Sequence, residues 1–452
     1  MRFSIFILGC FFLTILEAKE VFTKEDILRY FDLDNPSVYS ALGKKYIYKE
    51  KEKYQLGNFD TNLAVQYEKK DYPVTDGEYF STAFEKPIEN GMEFSLAYRK
   101  AEGTQEYNNI KTGDNGEMLL GVKVPVSSVA NDINKRKLNL ESARQDTAIV
   151  DYQTKNNIRL LYFDTVAAYY KLLYFKQSLQ LVNDLLNNAK ERESIVAKKV
   201  ELGSLAKIAN LEAKQQIINR QQQLLSTQNN YQNALENFSK YLNLRSDMFL
   251  QEYMLPSLLD VKKSYIQTHH SLEDALENRP DLQVFDYDIK KLELENKFTS
   301  ISKYPELNVG LYGVHDFKEG EGFKITLGMD FPIEQRRYTG KRLEIKKSIQ
   351  NIDQKKEKKI IHIRTELNTI NNSIETLQSN IENARLEVNL VEELEAAENK
   401  KYDIGLSNLF MVNQREIYTL GVKKKFLKYN LEYLILQEEL NKVVAKPIEG
   451  LL

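Results

Sequence analysis

Apolar residues recur at alternating steps of three and four along two long stretches of the chain. The first stretch is interrupted at Glu193 and ends at Gly203. Its apolar members are Leu172, Phe175, Leu179, Val182, Leu186, Ala189, Val196 and Val200. The second stretch has a matching interruption at Glu395 and ends at Gly405. Because such steps keep side chains on one face of a helix, the pattern predicts two long helices ending in similar glycine turns.

The hydrophobic period changes to two before each long helix. One segment has an apolar face formed by Phe59, Thr61, Leu63, Val65 and Tyr67. Similar alternation marks five more segments, which contain Phe80, Phe94, Met118, Val309 and Ile325. Six strands are therefore predicted. Short turns at one end and long polar loops at the other suit an antiparallel membrane barrel, although a soluble sheet with one buried face would show the same alternation.

The segments follow the same order twice, which indicates two repeats of one architecture. Asn35-Pro36 recurs as Arg279-Pro280, and Val124-Pro125 recurs as Phe331-Pro332. A continuous helix over 127–202 would extend about 110 Å. The segments predicted are a signal peptide 1–18, N-terminal helices 19–57, strands 58–126, a helical hairpin 127–247, a connector 248–278, a helix 279–305, strands 306–333, a second helical hairpin 334–444 and a tail 445–452.

The N-terminus has the pattern of a secretory signal. Arg2 precedes an apolar run, and cleavage is expected after Ala18. Cys10, the single cysteine, lies in this run and leaves lipidation open as an alternative. No later window is apolar enough for a helical membrane span. A net charge of -2 gives no bias toward nucleic acid, which is not expected as a partner.

The sequence lacks the arrangements that enzymes and metal sites require. His269 and His270 are adjacent, while His315 and His362 are isolated, so their spacing does not suit metal ligation. Gly340-Lys341-Arg342 lacks the other residues of a phosphate-binding loop. We therefore expect no catalytic residues, no cofactor and no metal.

The order of helix, strands, long helix, glycine turn and return helix, repeated behind a signal sequence, resembles the TolC family of outer-membrane efflux proteins. Arg279-Pro280-Asp281-Leu282, Tyr304-Pro305-Glu306-Leu307 and Lys401-Tyr402-Asp403-Ile404-Gly405 are similar to phrases of that family. The resemblance implies an α+β fold with two repeats per protomer. In it, a trimeric outer-membrane β-barrel is continuous with a long periplasmic α-helical barrel.

The resemblance also implies a function and partners. The chain would be the outer-membrane channel of a tripartite efflux or type I secretion system in a diderm bacterium. Substrates would pass through a gated tunnel by passive conduction. The partners would be outer-membrane lipid, a periplasmic adaptor (membrane fusion) protein and an inner-membrane pump of RND, ABC or MFS type. A periplasmic adaptor and a structural coiled-coil protein remain alternatives.

Two groups of site residues follow from the resemblance. The adaptor would dock on two hairpin tips, formed by Gly203, Ser204, Leu205, Gly405, Leu406 and Ser407. A tunnel gate would comprise Phe410, Met411, Asn413 and Gln414, where the family often has aspartates at the second and fourth of these positions. The alternative to a gate is that Phe410 and Met411 belong to the apolar face of the helix and pack against neighbouring helices.

The first half contains a surplus hairpin over 78–99. The resemblance implies four strands per protomer, whereas six are predicted. Because the helical tunnel would limit the circumference of the barrel, we expect this hairpin to lie outside the barrel wall.

Overall fold

The computed structural model describes residues 19–71, 76–103, 111–265 and 270–450. The expected signal peptide with Cys10, and also His269, lie outside the described residues. The strands are β1 (Glu20–Val21), β2 (Asn62–Asp71), β3 (Asp76–Pro87), β4 (Glu93–Gly103), β5 (Glu117–Pro125), β6 (Tyr253–Met254), β7 (Glu306–Asp316) and β8 (Gly320–Asp330). The helices are α1 (Pro36–Leu56), α2 (Val126–Asn131), α3 (Lys135–Glu201), α4 (Lys207–Leu242), α5 (Ser246–Glu252), α6 (Leu258–Ser264), α7 (Leu272–Asn278), α8 (Pro280–Ile301), α9 (Arg336–Asp403) and α10 (Leu409–Val443).

The described chain divides into two compact units. The sheet unit comprises Ser40–Ile158 and Leu272–Thr365, and the hairpin unit comprises the other described residues. Each unit is therefore assembled from stretches that are distant in sequence. Within the described residues, no helix combines the length and apolar character needed to cross a membrane.

The sheet unit contains a six-stranded antiparallel sheet in the order β2-β3-β4-β5-β7-β8. The register places apolar residues of neighbouring strands opposite one another, as in Leu63 with Phe84 and Leu96 with Leu120. Such cross-strand pairs stabilise a sheet and select its register. The alternation in the sequence is therefore matched by six long strands with an apolar and a more polar face.

The surplus hairpin, which the sequence led us to expect outside a barrel wall, is paired within this six-stranded sheet. β3 pairs with β2 over the whole of Asn62–Asp71, and β4 pairs with β5 from Glu93 to Arg99. The turn between β3 and β4 is closed by Ile88 N donating to Met92 O at 2.9 Å, and Gly91 has a φ of 98°. Backbone pairing on both sides satisfies the amides of the hairpin, which a detached hairpin would leave half unpaired.

The helix expected over 127–202 is interrupted near its start. α2 ends at Asn131, and Asp132 takes a left-handed conformation with a φ of 48°. α3 then begins behind Asn134, whose side-chain oxygen accepts a hydrogen bond from Lys137 N at 3.0 Å. Asp and Asn adopt left-handed and capping conformations readily, which explains the break at this point.

Pro36 and Pro280 are the first residues of α1 and α8. A backbone N–H at this position has no partner within the helix, so its absence in proline costs no hydrogen bond.

In the sheet unit, Arg279 donates to both carboxylate oxygens of Asp281, at 2.8 and 2.7 Å. Lys359 lies 3.0 Å from the same carboxylate. Burial opposes ionisation of Asp281, but these hydrogen bonds and charges outweigh it and lower its pKa to about 2.

An aromatic cluster lies in the core of the hairpin unit. Phe22 is fully buried, and its ring centroid lies 5.1 Å from Phe249 and 5.0 Å from Tyr253. Tyr169 donates its hydroxyl to Phe22 O at 2.7 Å. β1 and β6 pair in parallel directly beside this cluster. The N-terminal segment of the described chain is therefore built into the core.

Candidate functional site

The two helical hairpins end in the same hydrogen-bonded turn. Gly203 and Gly405 have φ values of 76° and 79°. In the first turn, Ser204 N donates to Lys199 O at 2.8 Å and Gly203 N donates to Val200 O at 3.0 Å. The second turn repeats this pattern at 2.8 and 3.1 Å. These are Schellman motifs, which require a residue of positive φ after the helix.

The tip residues differ in their exposure to solvent. Gly203, Ser204, Gly405 and Leu406 are exposed, and Leu406 retains 76% of its accessible surface. Leu205 and Ser407 are only partly exposed. Ser407 donates its hydroxyl to the buried Glu398.

A small apolar core holds the two tips side by side. Val196 from α3, Ala213 from α4 and Leu409 from α10 are buried together. Leu205 and Tyr402, each within three residues of a tip glycine, pack against this cluster. The structure thus brings the predicted tip residues of both hairpins to one end of the hairpin unit.

The predicted gate residues do not share one environment. Phe410, Met411 and Gln414 are exposed, Phe410 by 62%, so they do not form a seam within this chain. Asn413 is buried and accepts a hydrogen bond from Arg220 Nη2 at 3.2 Å. The structure therefore brings three of the four side chains to the surface of α10 and directs the fourth inward.

A buried ion triad joins the two hairpins close to their tips. Arg220 of α4 donates to Glu416 Oε2 of α10 at 2.6 Å and to Leu185 O of α3 at 3.1 Å. Arg192 of α3 donates to the other oxygen of Glu416. The side chains of Glu416, Arg220 and Arg192 are 1%, 2% and 15% exposed. The triad therefore links helices of both hairpins across the interior of the unit.

The triad contains one more positive than negative charge. Burial lowers the pKa of Arg220, and Glu416 offsets this only in part. For Arg192, burial acts in the same direction, but the hydrogen bond and charge of Glu416 outweigh it and raise the pKa. Among the described residues, Arg192 Nη1 and Arg220 Nε have no hydrogen-bond partner. Glu416 is therefore the residue on which both arginines depend.

Sequence reasoning missed the triad. Its members lie on three helices, and pairing between helices depends on a register that no local pattern reveals. A charged residue on the apolar face of a predicted helix is the one signal that could have indicated it.

One face of the six-stranded sheet is apolar and largely exposed. It includes Leu63 and Val65 on β2, Leu120 on β5 and Leu327 on β8, the last being 73% exposed. Large exposed apolar surfaces are rare on soluble proteins and mark sites of contact with a membrane or another protein.

Metal-ligand clusters do not occur in the part of the chain that the structure describes. His315 contacts the ring of Phe317 in an edge-on geometry with centroids 5.3 Å apart.

No protein-family model and no curated protein sequence matches the chain. Solved structures do match it. The outer membrane protein VceC from Vibrio cholerae has a TM-score of 0.68 at 12% identity, covering 93% of this chain and 95% of its own. The Campylobacter jejuni CmeC outer membrane channel has a TM-score of 0.68 at 12% identity, with coverages of 98% and 94%. The open-state Neisseria gonorrhoeae MtrE outer membrane channel has a TM-score of 0.67 at 13% identity, with coverages of 95% and 89%.

These likenesses extend over almost the whole of each chain, so they concern the complete architecture and not one hairpin. They confirm, at the level of the fold, the resemblance that the sequence indicated. The chain has the α+β fold of these outer-membrane proteins.

Proposed function

We propose that this chain is the outer-membrane exit duct of a tripartite efflux or type I secretion system, and not an enzyme. The observation that carries the proposal is the exposed apolar face of the six-stranded sheet, in a chain with the fold of outer-membrane channels. An apolar outer face and polar inner face are what a membrane barrel requires. Substrates would pass through it by passive conduction.

The proposed assembly is a homotrimer in the outer membrane of a diderm bacterium, extending into the periplasm. Exposed apolar residues follow one stripe of α4, at Leu211, Ile218 and Leu225, and another of α9, at Leu386, Leu390 and Leu394. Both stripes suit packing against helices of neighbouring copies. The lengths of α3 and α9, 67 and 68 residues, support an origin from two repeats.

The hairpin tips would dock the periplasmic adaptor, which in turn engages the inner-membrane pump. Leu406 and Ile404 expose apolar surface at the second tip, and Leu202 does so at the first. Apolar side chains projecting from rigid turns are suitable anchors for a protein partner. The gate would lie on α10 shortly after the second tip, at Phe410, Met411 and Gln414. Asn413 would support it by accepting a hydrogen bond from Arg220.

Membrane fractionation and bilayer recording test the proposal as a whole. We expect the protein in outer-membrane fractions as a heat-modifiable trimer that forms ion-conducting pores in planar bilayers. A soluble periplasmic species without pore activity would contradict the channel function and favour an adaptor.

The docking role of the tips is tested by Leu406→Asp. Because Leu406 is exposed, the substitution should abolish export while trimers remain in the membrane at normal levels. Leu33→Asp is the matched control, since Leu33 is half exposed and precedes α1. Unchanged export by the Leu406 variant would refute the docking assignment.

The gate is tested by introducing the aspartates that the family often has at positions 411 and 414. The double variant Met411→Asp and Gln414→Asp should become sensitive to block by divalent cations in bilayer recordings. Tyr418→Asp, at an exposed position further along α10, is the control and should add no block. Equal responses of the two variants would contradict a constriction at Met411 and Gln414.

A further inference from the structure

The sheet ends in two edge strands that can pair with each other between copies. Among the described residues, β2 has no partner on its outer side, and neither does β8. Six antiparallel strands alternate in direction, so β2 and β8 run in opposite directions. β8 of one copy can therefore pair with β2 of the next and continue the antiparallel ladder. The two strands have 10 and 11 residues, so the edges match in length.

The apolar face reaches both edge strands. Leu63, Val65 and Tyr67 on β2 are exposed on that face, and so are Ile325 and Leu327 on β8. Joining the edges of two copies would extend one apolar band. In hydrocarbon, each unpaired edge amide costs several kcal/mol, so an open edge would not persist in a membrane. A second copy of this chain supplies an edge strand that has a matching length, runs in the required direction and continues the apolar face.

We propose that the β3–β4 hairpin is part of the membrane wall, and that three copies of the 6-stranded sheet close a barrel of 18 strands through β8–β2 pairs. The number of copies rests on the proposed function, whereas the six strands per copy and the positions of β2 and β8 at the two edges come from the sheet. With strands about 4.8 Å apart and tilted by about 40°, such a barrel is about 36 Å across between backbones. Twelve strands would give about 24 Å.

The wider wall changes what this end of the channel can do. Barrels of 16 to 18 strands leave an open aqueous channel. After inward side chains are added, an aperture of roughly 25 Å remains, so the barrel cannot exclude small solutes by size. Selection by size must then occur elsewhere along the conduit.

Intermolecular disulfide formation tests the edge pairing. Cys10 is the only cysteine, so a full-length Cys10→Ser background has no competing thiol. Val65→Cys would be combined in turn with Ile325→Cys, Leu327→Cys or Met329→Cys, which lie on one face and scan the unknown register. At least one pair should give disulfide-linked dimers and trimers on non-reducing gels.

The matched control combines Leu120→Cys with the same β8 cysteines. Leu120 lies on β5, which is flanked by β4 and β7 of its own chain, so these pairs should not link copies. Linking through Leu120, or no linking through Val65 at any register, would overturn the edge pairing.

A second measurement uses the unmodified protein. Native mass spectrometry would give the number of copies, and electron cryomicroscopy in lipid nanodiscs would give the barrel diameter. Three copies with a ring of about 36 Å are expected. Three copies with a ring of about 24 Å would overturn the inference and leave the proposed function intact. A protein that does not enter nanodiscs would overturn the proposed function itself.

Discussion

Substituting Glu416 should loosen the tip end of the hairpin unit more than any other change in the ion triad. Glu416→Gln keeps the shape of the side chain but removes its charge. Two arginines then lose the carboxylate that bonds to both of them, and one of these arginines is almost completely buried. Breaking a buried ion pair by removing one partner costs about 3–5 kcal/mol, because the remaining charge is left uncompensated.

The structure also predicts an order among the three residues. Arg220→Met leaves Arg192 paired with Glu416, so its cost should be smaller, about 2 kcal/mol, from the lost bonds to Leu185 O and Asn413. Arg192→Met removes the most exposed member and leaves a balanced pair, so about 1 kcal/mol is expected. The double variant Arg220→Met and Glu416→Leu should be less destabilised than Glu416→Gln, because only the partly exposed Arg192 remains.

Hydrogen exchange of the purified full-length protein is the appropriate assay, since it reports local stability. A loss of about 3 kcal/mol corresponds to roughly a hundredfold faster exchange of backbone amides in α10 around Glu416. Amides of β3 and β4 provide an internal reference in the sheet unit. A change below about tenfold, or equal effects of the Glu416 and Arg192 substitutions, would refute the assignment of Glu416 as the central residue.

Three further substitutions test separate parts of the fold. Gly405→Ala should destabilise the second tip by about 1–2 kcal/mol through its positive φ alone, because an added Cβ meets no atom within 4 Å; Gly405→Asn should cost less, and thermal melting compares them. Asp281→Asn should cost about 2 kcal/mol at neutral pH. Because the folded pKa is about 2, below the ordinary 3.8, this difference should vanish as the pH falls through that interval, as acid titration of stability would reveal. Asn35→Ala should cost about 2 kcal/mol in denaturant unfolding, because buried Asn35 donates to Tyr30 O and Tyr241 O at 3.0 and 2.8 Å; a loss below 0.5 kcal/mol would argue against these bonds.

The local features of this fold were legible in the sequence. Heptad spacing and a terminal glycine predicted the long helices and their turns, since both depend on residues within one or two helical turns. Alternation predicted the six strands, because the side-chain pattern of a strand also depends only on residues that are close in sequence. The break at Asp132 is also local, because Asn131, Asp132 and Asn134 are of the residue types that cap helices and adopt left-handed conformations.

Long-range relations were not legible. The placement of the β3–β4 hairpin between β2 and β5 depends on which strands pair, and the circumference of a tunnel gives no information about that pairing. The partners of Glu416 depend on how α10 lies against α3 and α4. Asn413 faces inward for the same reason. The sequence alone did not distinguish it from its exposed neighbours Met411 and Gln414.

The pairing of β1 with β6 affects the order in which the chain can fold. Phe22 belongs to the first few described residues, yet its ring partners Phe249 and Tyr253 follow more than half a chain later. Contacts between such distant residues form slowly, because a large loop must close first. The hairpin unit also includes α10, so its core cannot be completed before nearly the whole polypeptide is available to fold. Until then the chain exposes Phe22 and its later partners, and this exposed apolar surface makes the incomplete chain prone to aggregation.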